Sequence, residues 1–322
     1  MFLLDPTIFI WDLAILILLG LTLSLTIGGL VWARHELAHI SHRLLAGNLA
    51  LMSLLGFLLV AYGSFVEPQL ISVTKRVVSL PHKQSLQIAV LGDLHVGPYK
   101  GIDFVRRTVA ETNQLLPDLV LLTGDYVLSD RTRITSLAPL RDLNASLGVY
   151  AVLGNHDRGR QKIPWGPHYQ TTDQGYDLTR YLEQLGITVL RNQHAIVVDG
   201  DAQLAIAGID DLWTNEDNIG AALDGIADDL PIILLSHNPS VINQNDSLQA
   251  DLIVSGHTHG GQIRLPGIGP LGGVPTDIDQ KYDQGTFAIN NHTTLAITRG
   301  LGESSPRARL FAWPEILLLE TK

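Results

Sequence analysis

The chain has 322 residues, a formal net charge of −10 and no cysteine. Its acidic balance, with no run of more than two Lys or Arg residues, argues against a large nucleic-acid footprint, and disulfides cannot contribute to its stability. Hydrophobic residues make up 46% of the chain, and the excess lies near the N-terminus. This distribution indicates a membrane-attached protein with one large domain outside the bilayer.

Two apolar segments come first along the chain. Residues 13–33 and 44–66 carry no charged side chain, and about 20 apolar residues span a bilayer as a helix. Asn48 and several glycines weaken the second segment, which leaves a buried or interfacial hairpin arm as its alternative. A cleaved signal peptide needs a basic leader, and residues 1–12 contain no Lys or Arg. We predict a membrane anchor of two transmembrane helices in residues 1–67 and a linker in residues 68–85.

The loop between the two apolar segments, residues 34–43, contains two Arg and three His. The positive-inside rule places this loop in the cytoplasm and the large domain outside, although Lys75, Arg76 and Lys83 oppose that orientation. We therefore predict a multi-pass protein of the inner cell membrane with an extracytoplasmic domain. Residues 35–39 also match H-E-x-x-H, the zinc-binding helix of metalloproteases. A third ligand is not evident nearby in the sequence, so we interpret this match as chance.

Residues 86–322 are long enough for one sizeable domain. Short apolar runs at residues 86–91, 119–122, 149–153, 232–235 and 252–254 predict buried strands. Residues 104–115 and 177–185 have helical spacing, and residues 187–190, 195–198 and 204–207 predict further short strands. Polar residues follow the buried strands directly. Because loops from several strands converge at the carboxyl ends of α/β sheets, the pattern predicts one shared site there.

Five short motifs follow these strands in order: GDLH at 92–95, GD at 124–125, GNHD at 154–157, the single His237, and GHTH at 256–259. Together they offer two Asp, one Asn and four His as ligands, enough for two divalent metals that share a carboxylate. Carboxylate and imidazole together suit Mn, Fe or Zn better than Mg or Ca. A pair of such metals is well suited to hydrolysis at phosphorus.

The identity and order of these motifs resemble the calcineurin-like metallophosphoesterase superfamily, whose pattern is D-x-H, G-D, G-N-H-D/E, H and G-H-x-H. The resemblance covers the chain from residue 86 to its C-terminus. It implies an α/β fold, a four-layer α/β/β/α sandwich of two mixed sheets flanked by helices. It also implies a set of metal ligands: Asp93, His95 and His259 at the first metal, the bridging Asp125, and Asn155, His237 and His257 at the second.

The resemblance assigns catalysis to His156, which would stabilise the phosphoryl oxygen and protonate the leaving alkoxide while a hydroxide bridging the metals attacks. One position departs from the family pattern. Many relatives have Asp or Asn where this chain has Leu128, and that residue orients the catalytic His. The side chain of Leu128 cannot accept a hydrogen bond. Either Asp157 or another group therefore orients His156, or the acid role is weaker.

Three residues are candidates for substrate contact. Arg158 and Trp165 lie in residues 158–175, which form either an ordinary surface loop or a cap over the substrate. Arg299 lies in the TRGLG stretch at 298–302, where a structural salt bridge is its alternative role. This stretch and GHTHGGQ at 256–262 resemble the membrane-associated bacterial branch with the YkuE-like and YaeI-like phosphodiesterases. They are also similar to the chlamydial-type UDP-2,3-diacylglucosamine pyrophosphatase.

We therefore expect a membrane-anchored, metal-dependent phosphodiesterase or pyrophosphatase whose partners are the lipid bilayer and an amphiphilic, lipid-linked phosphate ester. UDP-2,3-diacylglucosamine, an intermediate of lipid A synthesis, is an alternative substrate. An inactive metal-binding scaffold is the alternative of another class, and the complete set of seven ligands disfavours it. The acidic charge disfavours a nuclease, and the resemblance to this branch disfavours both a nuclease and a protein phosphatase.

Overall fold

The structure is a computed structural model that describes residues 6–36, 38–82, 85–162 and 168–322. The chain divides into two compact units. The first, here called the anchor unit, consists of Met1–Leu70 and Ser305–Leu310. The second, here called the catalytic unit, consists of Ile71–Ser304 and Phe311–Lys322. We describe each unit by itself.

Two long apolar helices dominate the anchor unit, α1 (Pro6–His35) and α2 (Ile40–Ala61), and a short π-helical turn, Tyr62–Val66, follows. The candidate spans Phe9–His35 and Ile40–Gln69 have mean hydropathies of 2.4 and 2.2, and most of their large apolar side chains are exposed. Both helices are long and apolar enough to cross a membrane, which confirms that part of the prediction. A β-carbon added at Gly29 would lie 2.9 Å from the carbonyl oxygen of Ala46, so the two helices approach closely through small residues.

The H-E-x-x-H match does not lie on one helix. His35 is the last residue of α1, and α2 begins only at Ile40. A zinc protease needs both histidines one turn apart on the same helical face. The interpretation of this match as chance therefore agrees with the backbone.

The 305–310 segment packs at the end of the helical pair where the chain enters α1 and leaves α2. The main-chain N–H of Arg309 donates to the carbonyl oxygen of Gly63 at 2.8 Å. The guanidinium of Arg307 forms an ion pair with Asp12 at 3.2 Å and lies 5.2 Å from the ring centre of Phe65. This segment, although distant in sequence, is thus tied to both helices of the anchor unit.

Among its described residues, the catalytic unit contains two six-stranded sheets and two pairs of short strands. Its helices are α3 (Ile102–Gln114), α4 (Gly175–Gln184) and α5 (Ile219–Leu223). Its strands are β1 (Ser72–Val78), β2 (Gln87–Leu91), β3 (Leu119–Leu122), β4 (Val149–Ala151), β5 (Arg160–Lys162), β6 (His168–Gln170), β7 (Thr188–Val189), β8 (Gln193–Asp199), β9 (Ala202–Gly208), β10 (Ile232–Leu235), β11 (Leu252–Ser255), β12 (Arg264–Leu265), β13 (Gly269–Pro270), β14 (Gly285–Ala288), β15 (Thr294–Ile297) and β16 (Glu315–Thr321).

Both large sheets are mixed. The first has the strand order β1-β16-β2-β3-β4-β7, in which only the β16–β2 pair is antiparallel. The second has the order β14-β15-β11-β10-β9-β8, with parallel pairs in its centre and an antiparallel pair at each edge. The central strands are short continuous apolar runs because both of their faces are buried.

Three hydrophobic layers hold the catalytic unit together. Buried side chains of both sheets, including Val90 and Ile206, pack against each other in the middle layer. The outer face of the first sheet is covered by α3 and α4, which bury residues such as Phe104 and Leu178. The outer face of the second sheet is covered by α5 and neighbouring turns through residues such as Ile219. The predicted four-layer α/β/β/α sandwich is confirmed.

The predicted linker, residues 68–85, is wrong for part of its length. Strand β1 lies within it and pairs with β16 along its whole length, from Ser72 opposite Glu315 to Val78 opposite Thr321. The sequence alone did not reveal this strand because β1 is an edge strand whose side chains are mostly exposed or half-buried, so it lacks a clear apolar run. The remaining predicted strands and helices agree with the structure to within a few residues at their ends.

Candidate metal centre

The predicted ligands all lie in the loops that follow the strands. Asp93 and His95 follow β2, Asp125 follows β3, and Asn155 follows the β4 region. The three remaining ligands come from the second sheet, with His237 after β10 and both His257 and His259 after β11. All seven side chains are buried in the protein. The site therefore joins the carboxyl ends of strands from both sheets, as the sequence predicted.

The ligand atoms form two groups that share Asp125. The first group contains Asp93, His95, Asp125 and His259, and the second contains Asp125, His237 and His257. Within each group the ligand atoms lie within 4.8 Å of one another. Asp125 Oδ2 is 3.4 Å from His95 Nε2 on one side and 3.3 Å from His237 Nε2 on the other. One carboxylate oxygen thus faces both groups, which is the position of a bridging ligand.

Asn155 extends the second group. Its side-chain oxygen Oδ1 lies 3.1 Å from His237 Nε2. Its Nδ2 donates to the carbonyl oxygen of Arg160 at 2.7 Å, which turns Oδ1 toward the histidine. The amide therefore presents its acceptor atom to the site, the orientation that a metal ligand requires.

Main-chain carbonyls select which nitrogen each histidine presents. His237 Nδ1 lies 2.8 Å from the Thr123 carbonyl, and His257 Nε2 lies 2.9 Å from the Pro275 carbonyl. A ring nitrogen facing a carbonyl must carry the proton, so the other nitrogen keeps its lone pair for a metal. His237 thus presents Nε2, whereas His257 presents Nδ1, and these two atoms lie 3.1 Å apart.

The donor set fits two divalent metals. Lone-pair atoms point at each other over short distances, such as the 3.1 Å between Nε2 of His95 and Nε2 of His259. Two such nitrogens repel unless a proton or a cation lies between them. Carboxylate and imidazole ligands in one buried cluster are compatible with borderline divalent metals. We conclude that these residues can hold two divalent ions around Asp125.

The electrostatics of the cluster are strongly coupled. Burial alone would raise the pKa of Asp125, but the charges of His237 and His156 and a hydrogen bond from His237 hold that pKa well below its usual range. Burial would lower the pKa of His237, but Asp125 raises it to about 10. Burial and the neighbouring His237 lower the pKa of His257 to about 3. A proton on His237 therefore competes with metal at neutral pH, while His257 is already neutral.

The backbone around the ligands is strained and tightly packed. Asp93, His95, Asp125, His257 and His259 all have positive φ, between 42° and 69°. Such conformations are costly for residues with a side chain, and they concentrate at functional sites. A β-carbon on Gly154 would lie 2.1 Å from Asp125 Oδ1, so only glycine fits beside the bridging carboxylate.

His156 lies at the edge of the cluster and is half-buried. Its ring centre is 4.6 Å from that of His95, and its main-chain N–H donates to Asp125 Oδ1 at 2.9 Å. Its Nδ1 lies 2.8 Å from the carbonyl oxygen of Leu128. Leu128, whose side chain departs from the family pattern, therefore orients His156 through its main-chain carbonyl.

Asp157 has a different task. Its carboxylate accepts hydrogen bonds from the main-chain N–H groups of Asp125, Tyr126, Val127 and Gly154. It therefore fixes the backbone that carries the bridging ligand. Of the alternatives that the sequence left open, the structure favours another group than Asp157, because His156 Nδ1 lies against the Leu128 carbonyl.

Two of the predicted substrate contacts, Arg158 and Arg299, form ion pairs within the protein. Arg158 is only 4% exposed, and its guanidinium forms ion pairs with Asp173, Asp210 and Glu216. Each of its three guanidinium nitrogens therefore faces a carboxylate of the protein. Trp165 lies outside the described residues. Strands β5 and β6 pair antiparallel in the part of residues 158–175 that the structure describes.

Arg299 also has a structural role. Its Nη2 pairs with Glu315 at 2.9 Å and lies 3.2 Å from the hydroxyl oxygens of both Ser72 and Thr74. These contacts link the TRGLG stretch to the β1 and β16 strands. The ion pair with Glu315 agrees with the salt-bridge alternative for Arg299.

Sequence reasoning missed two residues beside the second ligand group, Asp211 and Trp213. The ring centre of Trp213 is 4.6 Å from that of His257, edge to face. Asp211 is 1% exposed, and its Oδ1 has no hydrogen-bond partner among the residues that the structure describes. Burial raises the pKa of Asp211 to about 7. The signal that located the candidate ligands was present here too, since Asp210 and Asp211 lie within three residues of the end of β9.

Comparison with known proteins agrees with this geometry. Residues 86–261 match the family model described as calcineurin-like phosphoesterase. The chain belongs to the calcineurin-like phosphoesterase family. It is 30% identical over 273 residues to the uncharacterized metallophosphoesterase YkuE of Bacillus subtilis, covering 81% of this chain and 89% of that protein. It is a metal-dependent phosphoester hydrolase of the YkuE- and YaeI-like branch.

Two further relatives support this assignment. The phosphodiesterase YaeI of Escherichia coli is 33% identical over 240 residues, covering 73% of this phosphoesterase and 81% of that protein. A zebrafish (Danio rerio) protein named transmembrane protein with metallophosphoesterase domain is 31% identical over 264 residues, covering 77% of this chain and 56% of that protein. Together with the two apolar helices, the name of the zebrafish protein suggests that this phosphoesterase is associated with a membrane.

Proposed function

We propose that this phosphoesterase hydrolyses a phosphodiester or pyrophosphate bond of a lipid-linked substrate at the surface of the inner membrane. The observation that carries the proposal is Asp125 Oδ2, which lies within 3.4 Å of a histidine in each ligand group. Two divalent metals, with Mn, Fe or Zn favoured by the ligand types, would polarise the phosphoryl group and activate a water nucleophile. The name of YaeI, a phosphodiesterase, supports the diester class.

The protein residues then have separate tasks. The seven candidate ligands would hold the metals, and the main-chain carbonyls of Thr123 and Pro275 keep the ring nitrogens of His237 and His257 in position. His156 Nδ1 is held by the carbonyl of Leu128, so its Nε2 is the atom available to a substrate. A proton on that Nε2 would pass to the leaving alkoxide as the ester bond breaks. The apolar helices would keep this chemistry at the bilayer, where an amphiphilic substrate is concentrated.

The lipid-linked substrate class predicts a preference for acylated esters. In protein reconstituted into phospholipid vesicles with Mn²⁺, a diacyl phosphodiester should be hydrolysed with kcat/KM at least about 10-fold above that of its deacylated, water-soluble analogue, because a shared surface raises the effective concentration. The measurement is product formation from both compounds under identical conditions. Addition of a chelator should stop both reactions. Equal kcat/KM for the two compounds would refute the lipid link while leaving the hydrolase intact.

The acid role of His156 predicts an effect that depends on the leaving group. His156→Ala should lower kcat by about 10²–10⁴-fold for a diester with an alkyl leaving group, because general acid catalysis contributes about that factor. The loss should be much smaller with 4-nitrophenolate, which leaves without a proton. Metal content, measured by mass spectrometry, should remain unchanged. Equal losses with both leaving groups would mean that His156 acts in another way.

A further inference from the structure

A short apolar hairpin follows the last metal ligand. We call residues 263–271 the apolar hairpin. Its strands β12 and β13 pair antiparallel, with Arg264 opposite Pro270 and Leu265 opposite Gly269. The N–H of Leu271 donates to the carbonyl of Ile263 at 2.9 Å and extends the pairing. The hairpin begins only four residues after His259, so its base is fixed to the metal centre by the chain itself.

The base of the apolar hairpin is anchored firmly. Arg264 Nη1 donates to the carbonyl oxygen of Gly260 at 2.6 Å and forms an ion pair with Asp283 at 2.5 Å. A β-carbon on Gly261 would lie 2.3 Å from Pro270, which shows how closely the base packs against the ligand loop. The hairpin is therefore held as a defined projection of the catalytic unit.

The tip of this projection is apolar and exposed. Ile268 is 74% exposed, Leu271 57% and Leu265 37%. Phe311 lines the same groove and is 48% exposed. No charged residue occurs between Leu265 and Leu271. Soluble proteins rarely group large apolar side chains on their surface in this way, and such patches mark protein or membrane contacts.

The neighbouring residues indicate a bilayer as the contact. Phe311 directly follows Leu310, the last residue of the 305–310 segment, which hydrogen-bonds to Gly63 at the end of the second apolar helix. The patch therefore begins, along the chain, one residue after a segment tied to the anchor unit. Lys281, whose side chain is 60% exposed, lines the same groove, and its ammonium lies 3.9 Å from the exposed carboxylate of Asp279. Such exposed ion pairs are weak, so this ammonium would exchange Asp279 for a lipid phosphate at a membrane surface.

We propose that the apolar hairpin, with Phe311, inserts into the hydrocarbon edge of the lipid bilayer beside the metal centre. Ile268 and Leu271 would lie among acyl chains, and Lys281 at the level of the headgroup phosphates. The proposal rests on the membrane attachment proposed above but not on any particular substrate. A lipid-linked ester could then reach the metals without leaving the bilayer surface.

Site-directed spin labelling tests this contact directly, because the chain has no native cysteine. Ile268→Cys and Leu271→Cys, each labelled with a nitroxide in the full chain reconstituted into phosphatidylglycerol–phosphatidylethanolamine vesicles, should collide several-fold more often with oxygen than with an aqueous nickel chelate. Tyr176→Cys, at a 67% exposed position of α4, should show the opposite ratio. The measurement uses no substrate.

A fourth label separates failure of this contact from failure of membrane attachment. Leu51→Cys, in the middle of α2, should report a hydrocarbon environment. If Leu51 reads as hydrocarbon while Ile268 and Leu271 are as accessible to the nickel chelate as Tyr176, the hairpin does not enter the bilayer. Protection of both hairpin labels from oxygen and from nickel would indicate a protein partner and would equally overturn the proposal. An aqueous reading at Leu51 would refute membrane attachment itself.

Discussion

Asp125→Asn should reduce phosphodiester hydrolysis by about 10³-fold or more, the largest loss expected from any single ligand. Asp125 Oδ2 lies 3.4 Å from His95 and 3.3 Å from His237, so this carboxylate serves both metal positions. Replacing its charge removes a ligand from both metals at once, and the loss of one electrostatic stabiliser alone costs about 10²–10³-fold in kcat. The measurement is steady-state hydrolysis of a model diester with Mn²⁺, together with metal content.

Asn preserves the shape of Asp125, so this variant should fold. The side-chain oxygen of Asn can still accept the N–H of His156, as Asp125 Oδ1 does at 2.9 Å. Asp228→Asn removes one negative charge at an exposed position outside the ligand cluster and is the matched control. If the Asp125→Asn variant kept both metals and wild-type turnover, the shared carboxylate would not be a bridging metal ligand.

Gly124→Ala should destabilise the catalytic unit by about 2–5 kcal/mol, the largest effect on stability that we expect from the loss of a single glycine. Gly124 has φ of +95°, and a β-carbon there would lie 2.5 Å from the main-chain nitrogen of Gly154. Left-handed backbone costs about 1–2 kcal/mol for a residue with a side chain, and overpacking adds about 1–3 kcal/mol. In thermal unfolding at one fixed scan rate, the midpoint should fall by about 5 °C or more.

Two other glycines separate the causes of this loss. Gly225 has a similar φ of +85° but nothing within 4 Å of its added β-carbon, so Gly225→Ala should cost only the conformational part. Gly101 has φ of −99° and open space, so Gly101→Ala should be nearly neutral. If Gly124→Ala and Gly225→Ala lower the midpoint equally, the close packing between the β3 and β4 loops contributes nothing.

The sequence predicted the metal centre well because the relevant information is local. Each ligand follows a short apolar run, and the carboxyl ends of parallel strands must meet at one edge of a sheet. His237 could thus be placed beside Asn155 without knowledge of their 3.1 Å contact. The same rule applied to β9 would have found Asp211, whose position after a strand the sequence shows equally clearly.

What the sequence could not reveal depends on contacts between distant residues. Arg158 comes directly after His156 and Asp157 in the sequence, and this position suggested a substrate contact. Its ion-pair partners Asp210 and Glu216 lie in the chain after β9. Arg299 is likewise paired with Glu315 at 2.9 Å. The group that orients His156 could not be predicted for another reason. The main-chain carbonyl of Leu128 accepts the hydrogen bond that a polar side chain accepts in many relatives, and a main-chain contact leaves no signature in the sequence.

The position of β16 has a consequence for how the protein is made. This last strand, Glu315–Thr321, lies between β1 and β2, the first two strands of the catalytic unit. During translation, β1 and β2 leave the ribosome more than 200 residues before the strand that joins them. The first sheet therefore cannot close on a nascent chain. The exposed edges of β1 and β2 must wait until residues 315–321 have been synthesised, and until then they are open to pairing with other chains.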